Sequence, residues 1–224
     1  MRLTGSVRYQ KMKNINKKSV FYYSIYLVIA WTLYRRFFNL SNTVDEFLIK
    51  PIIWLLPLFY LVKKEGLNFE SLGITLKRIL PSITLSLAIG SLFVIEALAI
   101  NYFKYKGFNI GANLGTDPLL LSLIISFATA FSEEIAFRGY IFTRFWVLSK
   151  NELLANAMTT FVWILIHVPV VSFVWHLSFS ASLTYFFLTA IFGFGSAFIF
   201  ARTKNVFSSV LLHLLWEWPI ILFR

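Results

Sequence analysis

Two adjacent carboxylates, Glu133 and Glu134, lie inside the apolar run 118–142, and Arg138 follows one helical turn later. A charged side chain near the middle of a bilayer costs about 2.5–3.5 kcal/mol on insertion-based scales, and this short run carries three. Such groups persist when they pair with one another and face other helices or trapped water. The stretch 132–138 is therefore the first place to look for chemistry.

The spacing within this stretch separates the roles of the two acids. Residues four apart stack on one helical face, so we expect Glu134 and Arg138 to form a buried ion pair. Glu133 points about 100° away from Glu134, which leaves it freer for another role. The alternative is that both acids merely neutralise Arg138 or bind a neighbouring helix.

Two histidines lie in separate apolar runs further along the chain. His167 follows Trp163 by one helical turn, and His213 precedes Glu217 by one turn. A single histidine on an apolar helix is usually a packing residue, but two such residues beside buried acids favour a shared site. Glu217 lies near the end of its helix, so the alternative for this residue is an interfacial acid.

Glu133, His167 and His213 together offer what the activation of water requires. In one mechanism, Glu133 and His167 activate water directly while His213 stabilises the tetrahedral intermediate. In the other, His167, His213 and either Glu133 or Glu217 hold a divalent metal such as zinc, whose bound water attacks the substrate. The chain has no His-Glu-x-x-His spacing, so spacing alone favours the first mechanism.

The composition indicates an all-α, polytopic transmembrane helix bundle. The 224 residues are 58% hydrophobic and 14% charged, which is too apolar for a soluble domain. The net charge of +11 comes from Lys and Arg between apolar runs, so it indicates contact with lipid headgroups and not nucleic-acid binding. The absence of cysteine excludes disulfides and thiol catalysis.

The apolar runs predict about seven spanning helices (six to eight), since roughly 20 apolar residues are needed for each. Their expected ranges are 20–38, 47–62, 81–103, 118–142, 153–171, 180–201 and 205–223. We divide the chain into a basic segment 1–19, N-terminal helices 20–110 with an amphipathic loop 63–80, and a catalytic core 111–224.

Basic residues place the N-terminus in the cytoplasm, and we expect a multi-pass protein of a prokaryotic plasma membrane. Arg35 and Arg36 would then lie outside, against the rule that Lys and Arg concentrate on the cytoplasmic side. Met1 and Met12 are both candidate start sites.

Four short motifs on successive predicted helices resemble those of the CAAX protease and bacteriocin-processing (Abi) family. The family pattern Glu-Glu-x-x-x-Arg corresponds to Glu133, Glu134 and Arg138, and Phe-x-x-x-His corresponds to Trp163 and His167. The pattern Phe-x-x-x-Arg corresponds to Phe198 and Arg202, and His-x-x-x-Asn/Asp corresponds to His213 and Glu217. Trp163 stands where the family has phenylalanine, and Glu217 stands where it has Asn or Asp. The resemblance covers about residues 115–220.

This resemblance implies an intramembrane endopeptidase that acts on a membrane-anchored protein or peptide. It implies that Glu133 and His167 activate water and that His213 and Glu217 are oxyanion partners, with Glu134 in the same catalytic set. Arg138, Trp163, Phe198 and Arg202 are the supporting residues, although a side chain such as Arg202 is more often a topology anchor reaching the interface. Members are often described as metalloproteases, and a metal-free glutamate mechanism is also argued for the fold.

The departure at Glu217 keeps other classes of protein open. An anion is a poor hydrogen-bond donor to an oxyanion but a good metal ligand, so Glu217 is less suited to the oxyanion role that the family assigns to the fourth motif. One alternative is a non-catalytic membrane protein of the same fold, such as a bacteriocin self-immunity factor or a scaffold. A proton- or metal-coupled transporter is disfavoured because no inverted repeat is evident. A rhomboid-like serine protease is disfavoured because Ser196 lacks a Gly-x-Ser-Gly setting.

Overall fold

The computed structural model describes residues 16–38, 40–111 and 118–223. Within these ranges the chain forms an all-helical bundle, which confirms the predicted fold class. Its main helices are α1 (Lys17–Phe37), α2 (residues 42–64), α3 (Ile79–Tyr105), α4 (Leu119–Ser149), α5 (Glu152–Val174), α6 (Phe179–Thr203) and α7 (Val206–Phe223). Each overlaps one of the seven predicted ranges. Most of the basic segment 1–19, with both candidate start sites, lies outside the described residues.

Four helices in the described part of the chain, α3 to α6, are long and apolar enough to cross a membrane. Helix α7 is apolar but shorter. Helix α1 has 21 residues, which at 1.5 Å per residue gives about 30 Å, the thickness of a bilayer core. Helix α7 packs against α3, α4 and α6, while α5 packs against α1 and α6. The four helices that carry the motifs therefore lie next to one another.

Short polar turns connect the motif-bearing helices. Asn151 begins α5, and its side chain accepts a hydrogen bond from the Leu154 amide at 3.0 Å. Ser178 caps α6 in the same way through the Ala181 amide. The turn between α6 and α7 is held by Asn205, whose Nδ2 donates to two carbonyl groups of the segment before α3. These contacts set how far each helix extends and hence the depth of its polar groups.

Helix α4 changes winding directly after its two acids. Residues Leu119–Glu134 are α-helical, Ile135–Phe142 are π-helical, and Thr143–Ser149 are α-helical again. All eight residues of the π-helical stretch are buried. Such widened turns are often found at functional sites because they alter which face a side chain occupies. Helix α2 has two similar stretches, at Asp45–Ile49 and Pro51–Leu55.

The segment that joins α2 to α3 packs into the bundle and does not simply lie along the membrane interface. Leu72 is fully buried, and its carbonyl oxygen approaches Gly139 of α4 so closely that a Cβ there would lie 2.7 Å away. The guanidinium of Arg144, also buried, donates to a carboxylate oxygen of Glu65 at 2.8 Å. The N-terminal helices are thereby fastened to α4 next to its π-helical stretch.

We expect Gly139→Ala to destabilise the protein by about 1–3 kcal/mol, because the added methyl group meets backbone and the segment must shift. Gly195→Ala is the matched control, since a Cβ at that helical position meets nothing within 4 Å. Thermal unfolding of detergent-purified protein, followed by tryptophan fluorescence, compares the two. Equal midpoints for both variants would contradict this description of the contact.

Candidate active site

Glu134 is the centre of a buried polar cluster that joins three helices. Its Oε1 accepts from the Arg138 guanidinium and lies the same distance, 2.9 Å, from Nδ1 of His213, while its Oε2 accepts from the Ser196 hydroxyl at 2.8 Å. The carboxylate is fully buried. The ion pair predicted from the four-residue spacing is thus confirmed, and the same carboxylate also fixes α7 and α6 to α4.

Arg138 has further partners that make its burial tolerable. Its second terminal nitrogen donates to the Gly193 carbonyl oxygen at 3.2 Å. Its guanidinium carbon also lies 4.6 Å from the centre of the Trp163 ring and 5.3 Å from that of Phe192, both in the range of a cation–π contact. Arg138 therefore has a structural role, because it holds Glu134 and contacts α6 through Gly193.

The hydrogen bonds of the two histidines assign their ring protons. Nδ1 of His167 lies 2.7 Å from the carbonyl oxygen of Trp163, an atom that can only accept, so this nitrogen carries the hydrogen. The same reasoning assigns the hydrogen on Nδ1 of His213, because the ionised Glu134 can only accept. The Nε2 atoms of both rings are left to act on a substrate or on water.

Glu133 has a partner that the sequence analysis missed. One of its oxygen atoms, Oε1, accepts from Nζ of Lys50 at 2.6 Å, and the same ammonium lies 2.5 Å from a carboxylate oxygen of Glu46. Glu133 thus has a partner of its own, but it is freer than Glu134, whose two oxygen atoms contact three side chains. Lys50 was detectable, because a lysine within the apolar run 47–62 is itself an intramembrane charge that requires a partner.

The Trp163 ring packs against both histidines of the site. Its ring is fully buried and meets the His167 ring at 4.6 Å, the His213 ring at 5.7 Å and the Phe137 ring at 4.8 Å between centroids. Tryptophan at this position thus contacts both histidines at once. Both histidines also lie within electrostatic range of Glu133.

Glu217 reaches the same site from the far turn of α7. Its Oε2 lies 4.0 Å from Nε2 of His213 and makes no hydrogen bond to any of the described residues. A quarter of its side chain is exposed, whereas the side chain of His213 is almost completely buried. Glu217 therefore lies at the margin of the site and faces the imidazole directly.

Phe198 and Arg202 lie apart from these groups. The Arg202 guanidinium stacks over the Phe198 ring at 3.8 Å and forms an ion pair with Glu152 at the start of α5. Its backbone carbonyl accepts from Arg78 at 2.9 Å. These contacts fasten the end of α6 to two neighbouring segments, and they agree with the interpretation of Arg202 as an anchor.

The predicted metal ligands do not have the arrangement of a metal site. No group of three or more His, Asp or Glu side chains in the part of the chain that the structure describes could hold an ion together. The carboxylate of Glu133 faces the Lys50 ammonium. The contact of His213 with Glu134 through Nδ1 leaves its Nε2 open, as in a metal-binding histidine, so it does not argue against a metal. The metal-dependent mechanism stays a prediction from sequence.

Comparison with known families identifies the region that holds these helices. Residues 115–219, a little under half of the chain, match the family described as type II CAAX prenyl endopeptidase Rce1-like. This match confirms the resemblance drawn from the four motifs. No curated protein and no solved structure matches the chain significantly.

We expect the buried and the exposed ion pair to differ sharply in their effect on stability. Arg138→Met leaves the buried carboxylate of Glu134 without its main countercharge, and such a loss typically costs about 3–5 kcal/mol. Arg202→Met removes a pair that is partly exposed, worth at most about 1 kcal/mol.

Thermal unfolding in detergent of both variants beside the wild type tests this contrast. The role assigned to Arg138 would be refuted by a midpoint no lower than that of the Arg202 variant.

Proposed function

We propose that this chain, whose residues 115–219 match an endopeptidase family, hydrolyses a peptide bond of a membrane-associated protein or peptide. Water would be activated by Glu133 and His167. The proposal rests on the side chains of Glu133 and His167, each of which is held through one polar atom and has its other polar atom unengaged. Glu133 binds Lys50 through Oε1 and has Oε2 available, while His167 is held through Nδ1 and has Nε2 available.

In the proposed reaction a water molecule lies between Oε2 of Glu133 and Nε2 of His167. One of these atoms accepts a proton as the water oxygen attacks the carbonyl carbon of the substrate. The same proton is then given to the leaving amine as the C–N bond breaks. Both groups end the cycle in their starting protonation state, so no further reactant is consumed.

The oxyanion that forms in this reaction requires a hydrogen-bond donor, and His213 is suited to the task when it carries two protons. Nδ1 then donates to Glu134, and Nε2 donates to the oxyanion. Glu217, 4.0 Å from Nε2, would stabilise this imidazolium when its own carboxylate is ionised. A glutamate at the fourth motif is thus compatible with catalysis.

The depth of the acids accounts for a membrane-associated substrate. Glu133 lies about 20 Å along α4 from Leu119, at 1.5 Å per residue, and α4 continues for a similar length beyond it. A peptide must therefore enter the bundle to reach this carboxylate. Peptides that are anchored in or partition into the bilayer are concentrated where this entry takes place.

A second candidate function is that of a non-catalytic membrane protein of the same fold, such as a self-immunity factor or a scaffold. The contact that favours it is the ion pair of Glu133 with Lys50, because a paired carboxylate is a weaker base. Protection or binding that persists when both Glu133 and His167 are substituted would support this function.

We expect Glu133→Gln to lower cleavage by about 100-fold or more, because the amide cannot accept the proton from water. Membrane-peptide termini are compared in cells that carry the wild type, Glu133→Gln or Glu70→Gln. Glu70 is an exposed acid before α3 and serves as the matched control. Termini that depend on the wild type and on Glu70→Gln, but disappear with Glu133→Gln, give both the activity and its substrate. Equal termini in all three would refute the proposal.

The charges at the two ends of the bundle favour a cytoplasmic N-terminus. Basic residues at the end that holds the start of α1 are Lys17, Lys18, Lys63, Lys64, Lys77, Arg78, Arg144, Lys150, Arg202 and Lys204. The opposite end carries Arg35, Arg36, Lys104 and Lys106, and Arg35 is paired with Asp45. Lys and Arg near span ends concentrate on the cytoplasmic side.

Single cysteines test this orientation, since the chain has none of its own. We expect a membrane-impermeant maleimide to label Gly111→Cys in intact cells, and Lys64→Cys only after the membrane is permeabilised. Both positions are exposed, so access is decided by the side of the membrane. Labelling in the reverse order would place the N-terminus outside.

A further inference from the structure

Lys50 is an intramembrane cation that belongs to the N-terminal half of the chain and contacts the proposed catalytic acid. It lies on α2, well outside the residues that match the endopeptidase family. Its side chain is 3% exposed and bridges Glu46 of its own helix and Glu133 of α4. The rings of Trp31 and Trp54 lie within 6 Å of its ammonium. No motif considered in the sequence assigns a role to this residue.

The charges around the site explain why a cation is required there. Four buried or partly buried acids lie around the site: Glu46 and Glu133 share Lys50, and Glu134 and Glu217 both face His213. Arg138 pairs directly with Glu134, whereas the direct ion-pair partner of Glu133, which projects about 100° away from Glu134, is Lys50. Removing one partner of a buried pair leaves an uncompensated charge, which is strongly unfavourable. Lys50 is therefore the countercharge for the acid that Arg138 does not neutralise.

The two contacts of Lys50 also restrict the direction of Glu133. The Lys50 ammonium donates a hydrogen bond to Glu133 and forms an ion pair with Glu46, so Nζ is held between carboxylates of two helices. The carboxylate of Glu133 is thereby fixed through Oε1, and rotation about its last bond is restrained. The same carboxylate lies within electrostatic range of His167 and His213.

We propose that Lys50, anchored by Glu46, is a positioning residue for hydrolysis that holds Oε1 of Glu133 and directs Oε2 towards the attacking water. This inference rests on the proposed endopeptidase function and deepens it. It makes α2 part of the active site, so residues 115–219 do not contain the whole catalytic arrangement. Lys50 itself touches neither the water nor the peptide bond.

The kinetic test uses a fluorogenic peptide copied from a junction that is cleaved in wild-type membranes and not in Glu133→Gln membranes. We expect Lys50→Met to lower kcat by about 100-fold, the size of effect that a small misplacement of a catalytic group produces, with little change in KM. Lys50→Arg should recover much of kcat, because a guanidinium can donate to the same two acids. Lys64→Met, an exposed lysine at the end of the same helix, is the matched control.

A thermal-unfolding cycle in detergent provides a second measurement that does not need activity. We expect Lys50→Met to lower the unfolding midpoint, because it leaves Glu46 and Glu133 without a cation. Adding Glu133→Gln to Lys50→Met should then recover part of the loss, which shows that the two side chains are coupled.

The outcomes separate this inference from the function on which it rests. A wild-type kcat in folded Lys50→Met, or an effect confined to KM, would overturn the positioning role and leave the endopeptidase intact. Additive midpoints in the unfolding cycle would overturn it as well. If no junction depends on Glu133, the proposed function fails. Coupling between Lys50 and Glu133 would then describe a structural ion pair, and the positioning role would be overturned with the function.

Discussion

The arrangement of this bundle depends on one constraint, which is that every charge within an apolar helix needs a partner on the same or a neighbouring helix. Glu134 satisfies it with three partners, from α4, α6 and α7. Arg138 compensates the charge of the carboxylate, while the contacts with Ser196 and His213 join α6 and α7 to α4. The polar cluster is therefore both the costliest part of the protein to bury and the part that specifies how the motif-bearing helices pack.

The same constraint divides the two acids into different roles. Glu134 is used completely by its partners, so it is suited to hold the architecture and to orient His213. Glu133 is held through one oxygen alone, and this leaves one polar atom directed at neither a helix nor a cation.

The ion pairs near the ends of the helices have a different role from the contacts around Glu134. At the basic end, Arg202 pairs with Glu152 where both are partly exposed, and Arg144 joins the segment before α3 to α4. These contacts fasten the ends of the helices to their neighbours and do not reach the site. The motif residues thus fall into two groups, a buried group that could do chemistry and a peripheral pair, Phe198 and Arg202, that serves the scaffold.

The sequence alone determined the number and approximate limits of the helices, because apolar runs of bilayer length and four-residue spacings are local features. It also determined the pairing of Glu134 with Arg138, since both residues lie on one face of one helix. Only the tertiary structure decided the partner of Glu133. Lys50 lies 83 residues before it on a helix of weaker apolar character, and helix packing brings the two together. Contacts between helices depend on how whole faces fit, and such fits cannot be obtained from spacing within any single helix.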